Sequence, residues 1–329
     1  MLTDNHGRKI TYLRLAVTDR CNLRCFYCMP EEGINWLGRA ELLSYEEMLR
    51  VCSLLVSMGI EKIRITGGEP FVRKDMMALL NALAGIDGLK EISMTTNGVL
   101  TAPYIPELKS LGIKSVNLSL DTLDAGRFFS ITRRDEFAAV MHTLDELLKH
   151  DMEVKINAVV MDGRNIEDIV PLANLTKNLP IDVRFIEEMP FNGDSHIYKG
   201  LAWDHLRILE HIRESFPEIH KVKDAPYSTS YNYHIPGHQG SIGIIAAYSR
   251  TFCGTCNRIR LTPEGELKTC LYEGDGLNVK NLLRRGMGDA ELQQVLTNVI
   301  SHRAKDGWEA EAERKASDPA HESMASIGG

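Results

Sequence analysis

Six short runs rich in apolar and β-branched residues recur through the first 190 positions: "YLRLAVT" (12–18), "KIRIT" (62–66), "EISMTT" (91–96), "SVNLSL" (115–120), "EVKINAVV" (153–160) and "DVRFIE" (182–187). Segments of helical period separate them, among them 44–58, opened by a Ser44/Glu47 capping box, and 135–149. This alternation specifies βα units and a parallel sheet. A closed barrel needs eight strands, so six units predict an open partial barrel or a doubly wound sheet. After about residue 217 the rhythm breaks. "APYSTSYNYHIPGHQG" is rich in Gly, Ser and Tyr, a hairpin is expected over 257–270, and 278–300 reads as helical. Residues 303–329 are polar and expected to be mobile until their end. The expected organisation is therefore an α/β unit over 1–217 and an irregular region over 218–329.

The chain has 329 residues, a formal charge of -7 and 43% hydrophobic residues. A sizeable core is within reach, whereas a broad electrostatic surface for nucleic acid or anionic membrane is excluded. No run approaches 18 apolar residues, and "MLTDNHGRKITY" lacks the apolar segment of a secretory signal, so a cytoplasmic protein is expected. Any anionic ligand must meet a local basic cluster.

The seven cysteines are bunched: Cys21, Cys25 and Cys28, then Cys52, then Cys253, Cys256 and Cys270. In a reducing compartment such bunching reads as metal or redox ligation. Cys52 lies in an apolar helical stretch and reads as a core thiol. The first triad, C-x3-C-x2-C, follows strand one, at the strand edge where α/β folds place their sites. Three ligands leave one position open. A zinc site with a distant fourth ligand is the alternative, as are buried cysteines without metal. "TGGEP" (66–70) follows strand two; Gly67 and Gly68 would let a ligand approach closely, and Glu69 offers a carboxylate to an ammonium. The second triad, C-x2-C-x13-C, fits zinc completed by His234 or His238 as well as an iron–sulfur cluster. Within it, Cys256, Arg258 and Arg260 project to one side of a strand while Ile259 and Leu261 face away. Two guanidiniums there suit phosphate.

The combination of C-x3-C-x-Tyr-C with "GGEP" resembles the radical S-adenosylmethionine (SAM) enzymes. Segments such as "LRLAVTDRCNLRCFYCMP", "FCGTCNRIRLTPEGELKTC" and the terminal "IGG" extend the resemblance, over nearly the whole chain, to the GTP 3',8-cyclase family of molybdenum cofactor biosynthesis. This resemblance implies an open partial (β/α)6 TIM-like barrel with a C-terminal region that carries a second iron–sulfur cluster. It implies two [4Fe-4S] clusters, with Cys21, Cys25 and Cys28 holding the one that binds SAM and Cys253, Cys256 and Cys270 the other. Tyr27, Gly67, Gly68, Glu69, Ser119 and Met189 are the implied cofactor-binding positions. Arg14, Arg64, Thr95, Lys155, Arg258 and Arg260 are implied to bind GTP; Arg258 and Arg260, with Gly328 and Gly329 of the tail, are implied to support catalysis. An external one-electron reductant, a downstream cyclic pyranopterin monophosphate synthase and a homodimer are further implied partners, with no nucleic acid and no membrane. The competing expectations are a peptide-modifying enzyme with an auxiliary cluster and a non-enzymatic metal-binding module for nucleic acid.

Overall fold

The computed structural model describes residues 2–191, 200–314 and 323–328. Six βα units run first. Strand β1 (Tyr12–Ala16) leads to α1 (Tyr45–Met58), β2 (Lys62–Thr66) to α2 (Met76–Ala84), and β3 (Glu91–Thr96) to α3 (Ile105–Ser110). Then β4 (Ser115–Ser119) is followed by α4 (Ala125–Thr132) and α5 (Phe137–Lys149), β5 (Glu153–Val160) by α6 (Ile169–Asn178), and β6 (Asp182–Glu187) by α7 (His205–Ser215). The expected capping box is formed: Ser44 Oγ accepts from Glu47 N at 3.1 Å and Glu47 Oε2 from Ser44 N at 2.7 Å. Gly59, at φ 120°, ends the helix.

The remaining chain adds β7 (His220–Lys221), β8 (Ser230–His234), β9 (Ser241–Ile245), β10 (Arg258–Leu261), β11 (Glu266–Lys268) and β12 (Leu277–Asn278). All twelve strands among the described residues form one sheet, in the order β12-β11-β10-β1-β2-β3-β4-β5-β6-β9-β8-β7. Strands β1 to β6 are parallel neighbours in chain order, as expected for a partial barrel. Two more parallel strands flank them: β10 beside β1 and β9 beside β6. The C-terminal region therefore extends the parallel run. Antiparallel β11 and β8 then turn away at the two ends, so the sheet stays open. The hairpin expected over 257–270 is β10 and β11.

Residues alternate along the strands. Leu13, Leu15, Ile63, Ile65, Ile156 and Phe185 are completely buried, against the helices. Their neighbours Arg14, Arg64, Lys155 and Arg184 take the opposite face, and pairing aligns them: Arg260 opposite Arg14, Arg14 opposite Arg64, Asn117 opposite Lys155. Sheet register thus converts single alternations into one polar layer inside the barrel.

Two expectations for the C-terminal region are corrected. The helical stretch 278–300 is two helices, α8 (Val279–Arg284) and α9 (Asp289–Ser301), interrupted at Gly286 with φ 84°. Of residues 303–329, expected to be mobile until their end, the described ones form α10 (Gly307–Glu313) and α11 (Met324–Ile327), which place Ala310 and Ile327 in a small apolar cluster with Phe191 and Tyr272.

Candidate active site

A cavity of about 480 Å³ occupies the barrel interior, and all six cysteines of the two triads line it. The first triad sits on the loop after β1. The glycines of "TGGEP" explain how that loop is held: Gly68 N donates to Thr18 O, and Glu69 N to Arg20 O, each at 2.8 Å. A Cβ on Gly67 would lie 2.6 Å from Thr18 O, and one on Gly68 would overlap Arg20 O. Both glycines also line the cavity. Their closest approach, expected to be to a ligand, is to the cysteine loop itself.

Glu69 departs from its expected place. It is fully buried, is not among the residues lining the cavity, and accepts from Thr96 Oγ1, Asn97 N and Phe71 N at 2.8–3.3 Å. Burial pushes its carboxyl up to about 7. Its carboxylate ties the turn after β2 to the end of β3, so the ammonium contact expected of it is already replaced by internal donors. Asn97, aligned by this turn, donates through Nδ2 to Cys21 Sγ at 3.5 Å.

Tyr27, Ser119 and Met189 do face the cavity beside the first triad. Tyr27 donates to Asp121 Oδ2 at 2.8 Å, and burial raises Asp121 to about 6. The three thiols are all raised: Cys21 to about 12 by burial and then Glu69, Cys28 to about 11 by burial, and Cys25 upward by burial and then Asp121. A bound cation or metal must displace those protons.

The second triad has a different environment. Cys253 lies in a short 3-10 turn, Cys256 just precedes β10 and Cys270 follows β11. Burial raises Cys253 and Cys270. Cys256 is the exception: burial opposes its ionisation, but Arg258 and Arg303 bring it down to about 6. Both arginines donate through Nη2 to its Sγ at 3.5 Å. The histidines expected as alternative zinc ligands lie elsewhere. His234 is paired with His220 across β7 and β8, His238 contacts Thr176 Oγ1 at 2.8 Å, and no histidine is among the described residues lining the cavity. Among the described residues, no three His, Cys, Asp or Glu side chains gather closely enough to hold one metal ion. A multi-iron cluster, in which each thiolate takes its own iron, has no need of such a single-ion cage.

Between the triads runs a cationic wall. Arg14, Arg64, Thr95, Lys155, Arg258 and Arg260, the positions the resemblance implied, all line the cavity. Burial and then Arg260 push the Arg14 guanidinium well below its usual range, and burial and then Arg258 bring Arg260 to about 10. Arg14 Nε, Thr95 Oγ1, Asn117 Oδ1 and Asn157 Oδ1 are buried without a hydrogen-bond partner. A polar ligand would supply those partners. Arg184 belongs to the same set: it lines the cavity, and its Nε is equally unpartnered. The sequence reading missed it, although its alternation with buried Val183 and Phe185 places it on the same strand face as the implied cations.

The tail enters this cavity's wall. Ser323 Oγ donates to Cys28 O, and Arg260 Nη1 donates to Gly328 O at 2.7 Å. Gly328 has φ 78°, and a Cβ there would lie 2.6 Å from Thr66 Oγ1 and 2.8 Å from Ala16 Cβ. Only glycine fits that conformation and space. Gly329 lies outside the described residues.

Comparisons with known proteins agree with this construction. The radical SAM superfamily profile matches residues 15–176, and the Molybdenum Cofactor Synthesis C profile matches 181–308. In three dimensions the chain resembles Streptococcus suis SuiB bound to S-adenosylmethionine, with TM-score 0.62 and 16% identity over 90% of this chain and 69% of that one. That likeness establishes a shared fold. In sequence, the chain is 41% identical over 305 residues to human molybdenum cofactor biosynthesis protein 1, matching 92% of this chain and 48% of that one. It therefore spans about half the length of that relative. Two others are matched further: mitochondrial GTP 3',8-cyclase of Arabidopsis thaliana, 40% identical over 92% of this chain and 78% of that one, and GTP 3',8-cyclase of Syntrophomonas wolfei, 40% identical over 95% and 98%. By these end-to-end matches, the chain belongs to the GTP 3',8-cyclase family of the radical SAM superfamily.

Proposed function

We propose that this chain is a radical SAM GTP 3',8-cyclase, which converts GTP to (8S)-3',8-cyclo-7,8-dihydroguanosine 5'-triphosphate in molybdenum cofactor biosynthesis. The observation that carries this reading is one cavity in which two three-cysteine sites flank a wall of buried, partly unpartnered cations. The donor sets fit the family's cofactors. Cys21, Cys25 and Cys28 would hold a [4Fe-4S] cluster with one iron left for SAM, and Cys253, Cys256 and Cys270 a second. When bound, the first cluster supplies the electron that splits SAM into methionine and a 5'-deoxyadenosyl radical.

The chain's own residues bind and orient. Tyr27, Gly67, Gly68, Ser119 and Met189 shape the SAM end, Tyr27 being fixed by Asp121. Arg14, Arg64, Lys155, Arg184, Arg258 and Arg260 form the clamp for the triphosphate, with Thr95 among them; the unpartnered guanidinium Nε atoms of Arg14 and Arg184 would gain acceptors there. Arg260 also holds Gly328, which links nucleotide binding to the seating of the tail at that residue. Such fixed geometry matters because the ribose C3' hydrogen must meet the radical and C3' must then reach guanine C8, and orientation is itself a large rate factor. The division of labour follows the chain in part: residues 1–217 supply the SAM end and four of the six clamp cations, and 218–329 the second cluster with Arg258 and Arg260, the two sharing one sheet. The expected reductant, downstream synthase, homodimer and cytoplasmic location complete the proposal; among the described residues no helix is long and apolar enough to cross a membrane. A peptide substrate would give no reason for the cationic wall.

The test is anaerobic reconstitution followed by SAM, a one-electron reductant and each nucleoside triphosphate in turn. GTP alone should yield cyclised nucleotide together with 5'-deoxyadenosine. Zinc in place of iron, or 5'-deoxyadenosine with no nucleotide product from GTP, would overturn it.

A further inference from the structure

The second triad has a support that the nucleotide reading leaves unused. Near the N-terminus a tight turn is closed by a bridge between Thr3 and Lys9. Inside it the Asp4 side chain, with no exposed surface, accepts from His6 N and Arg8 N at 2.9 Å and from Arg8 Nε at 2.6 Å. Arg8 then reaches across the molecule. Its Nη1 donates to the carbonyls of Cys253, at 3.0 Å, and Lys305, and its Nη2 donates to Ala304 O at 2.9 Å. Arg303 Nε lies 3.8 Å from Asp4 Oδ2. The far end of Arg303 donates to Cys256 O at 3.3 Å and Cys256 Sγ at 3.5 Å. One buried carboxylate therefore hydrogen-bonds the guanidinium that reaches the backbone of Cys253 and forms a longer ion pair, without a hydrogen bond, with the one that reaches the sulfur of Cys256.

Two cations against one carboxylate leave an excess positive charge, and Arg303, only 4% exposed, presents it where water screens it little. Hydrogen bonds and charges around a cluster's sulfurs set its reduction potential, because the reduced cluster carries one more negative charge. Among the described residues the first triad has no cationic counterpart: the donors directed at its thiols are neutral, Asn97 at Cys21, Tyr27 at Cys25 and Ser323 at Cys28.

We propose that Arg303, aimed by the Asp4–Arg8 turn, is a positioning residue of the second triad that stabilises the reduced form of the cluster held there. This rests on the reading of Cys253, Cys256 and Cys270 as cluster ligands. Arg258, the other donor to Cys256, lines the same cavity as Arg303; Arg303 differs in lying 3.8 Å from the buried Asp4 carboxylate, so the two are distinguished by their support and can be mutated separately.

The test uses the full chain carrying Cys21→Ser, Cys25→Ser and Cys28→Ser, which leaves one cluster to observe. Arg303→Met and Arg303→Lys are made in that background and reconstituted, iron is counted, and EPR follows reduction as the potential is lowered. Iron should be retained, the Arg303→Met midpoint should move to more negative potential, and Arg303→Lys, which restores the charge, should move less. An unchanged midpoint in Arg303→Met with iron intact overturns the proposal, as does a shift in the positive direction. Should Arg303→Met fail to hold iron, Arg303→Gln, which keeps a donor without the charge, is titrated in its place with the same expectation. Absence of iron from the background protein would instead overturn the reading of the second triad as a cluster site, a distinct failure.

Discussion

The two cysteine triads face the same cavity with opposite electrostatic surroundings. Around the first stand carboxyl groups, Asp121 on Tyr27 and Glu69 behind Asn97, and its thiols are pushed up chiefly by burial and then, for Cys21 and Cys25, by those carboxyls, Cys21 to about 12. Around the second stand guanidiniums, Arg258 and Arg303 on Cys256, and that thiol is brought down to about 6 after burial is overcome. Under the proposed function, this difference would let one cavity take two unlike molecules. A cationic sulfonium such as that of SAM suits the first end, and a polyanionic nucleotide suits the second. Ligand count alone gives the two sites the same description; their neighbours separate them.

Several substitutions should break or sharpen this contrast. The largest effect is expected from Gly68→Ala. Its new methyl group would overlap the carbonyl of Arg20, and overpacking of this kind costs about 1–3 kcal/mol. Iron bound by the first triad should be lost while that of the second remains, as counted by iron analysis and EPR; loss from both sites would show the triads not to be independent. Arg260→Ala should raise the KM for GTP by roughly 10- to 100-fold, the equivalent of about 1.5–3 kcal/mol for a charged hydrogen bond, while slow uncoupled formation of 5'-deoxyadenosine persists. Arg184→Ala should act in the same direction by about tenfold, within the lower part of that range, since it removes one cation of six. The smallest effect is chemical. In metal-free protein at pH 7, a small alkylating reagent should modify Cys256 before Cys21 or Cys28, because the thiolate is the nucleophile. That preference should fade as the pH falls below about 6, where Cys256 also becomes protonated. Equal alkylation of the three, read by mass spectrometry, would contradict the asymmetry.

Much of this arrangement is legible in the chain. The six strands are found because each is a short apolar run of period two, and Arg14, Arg64 and Lys155 were named by the family resemblance, with their places on those strands in keeping. Arg184 has the same kind of place and was readable from it. The flanking strands were harder: "SIGII" is short, begins in a glycine-rich stretch and finds its parallel partner in β6 through a long-range pairing that no local pattern announces. Glu69 misled because a carboxylate after two glycines looks available, whereas its donors, Thr96 and Asn97, lie in the next βα unit. The turn that supports the second triad was beyond reach for a related reason. Arg8 and Cys253 are separated by 245 positions, and Asp4 resembles any polar residue near a chain end until the fold brings Arg303 to it.

The central claim is that the first triad makes the radical and the second directs it to GTP. The most direct measurement takes Cys21→Ser and Cys256→Ser side by side, each reconstituted anaerobically with SAM, reductant and GTP, and quantifies 5'-deoxyadenosine and cyclised nucleotide in the same samples. Cys21→Ser should give neither product, and Cys256→Ser should give 5'-deoxyadenosine without cyclised nucleotide. Cyclised nucleotide from Cys256→Ser, or loss of 5'-deoxyadenosine from both variants alike, would contradict the division.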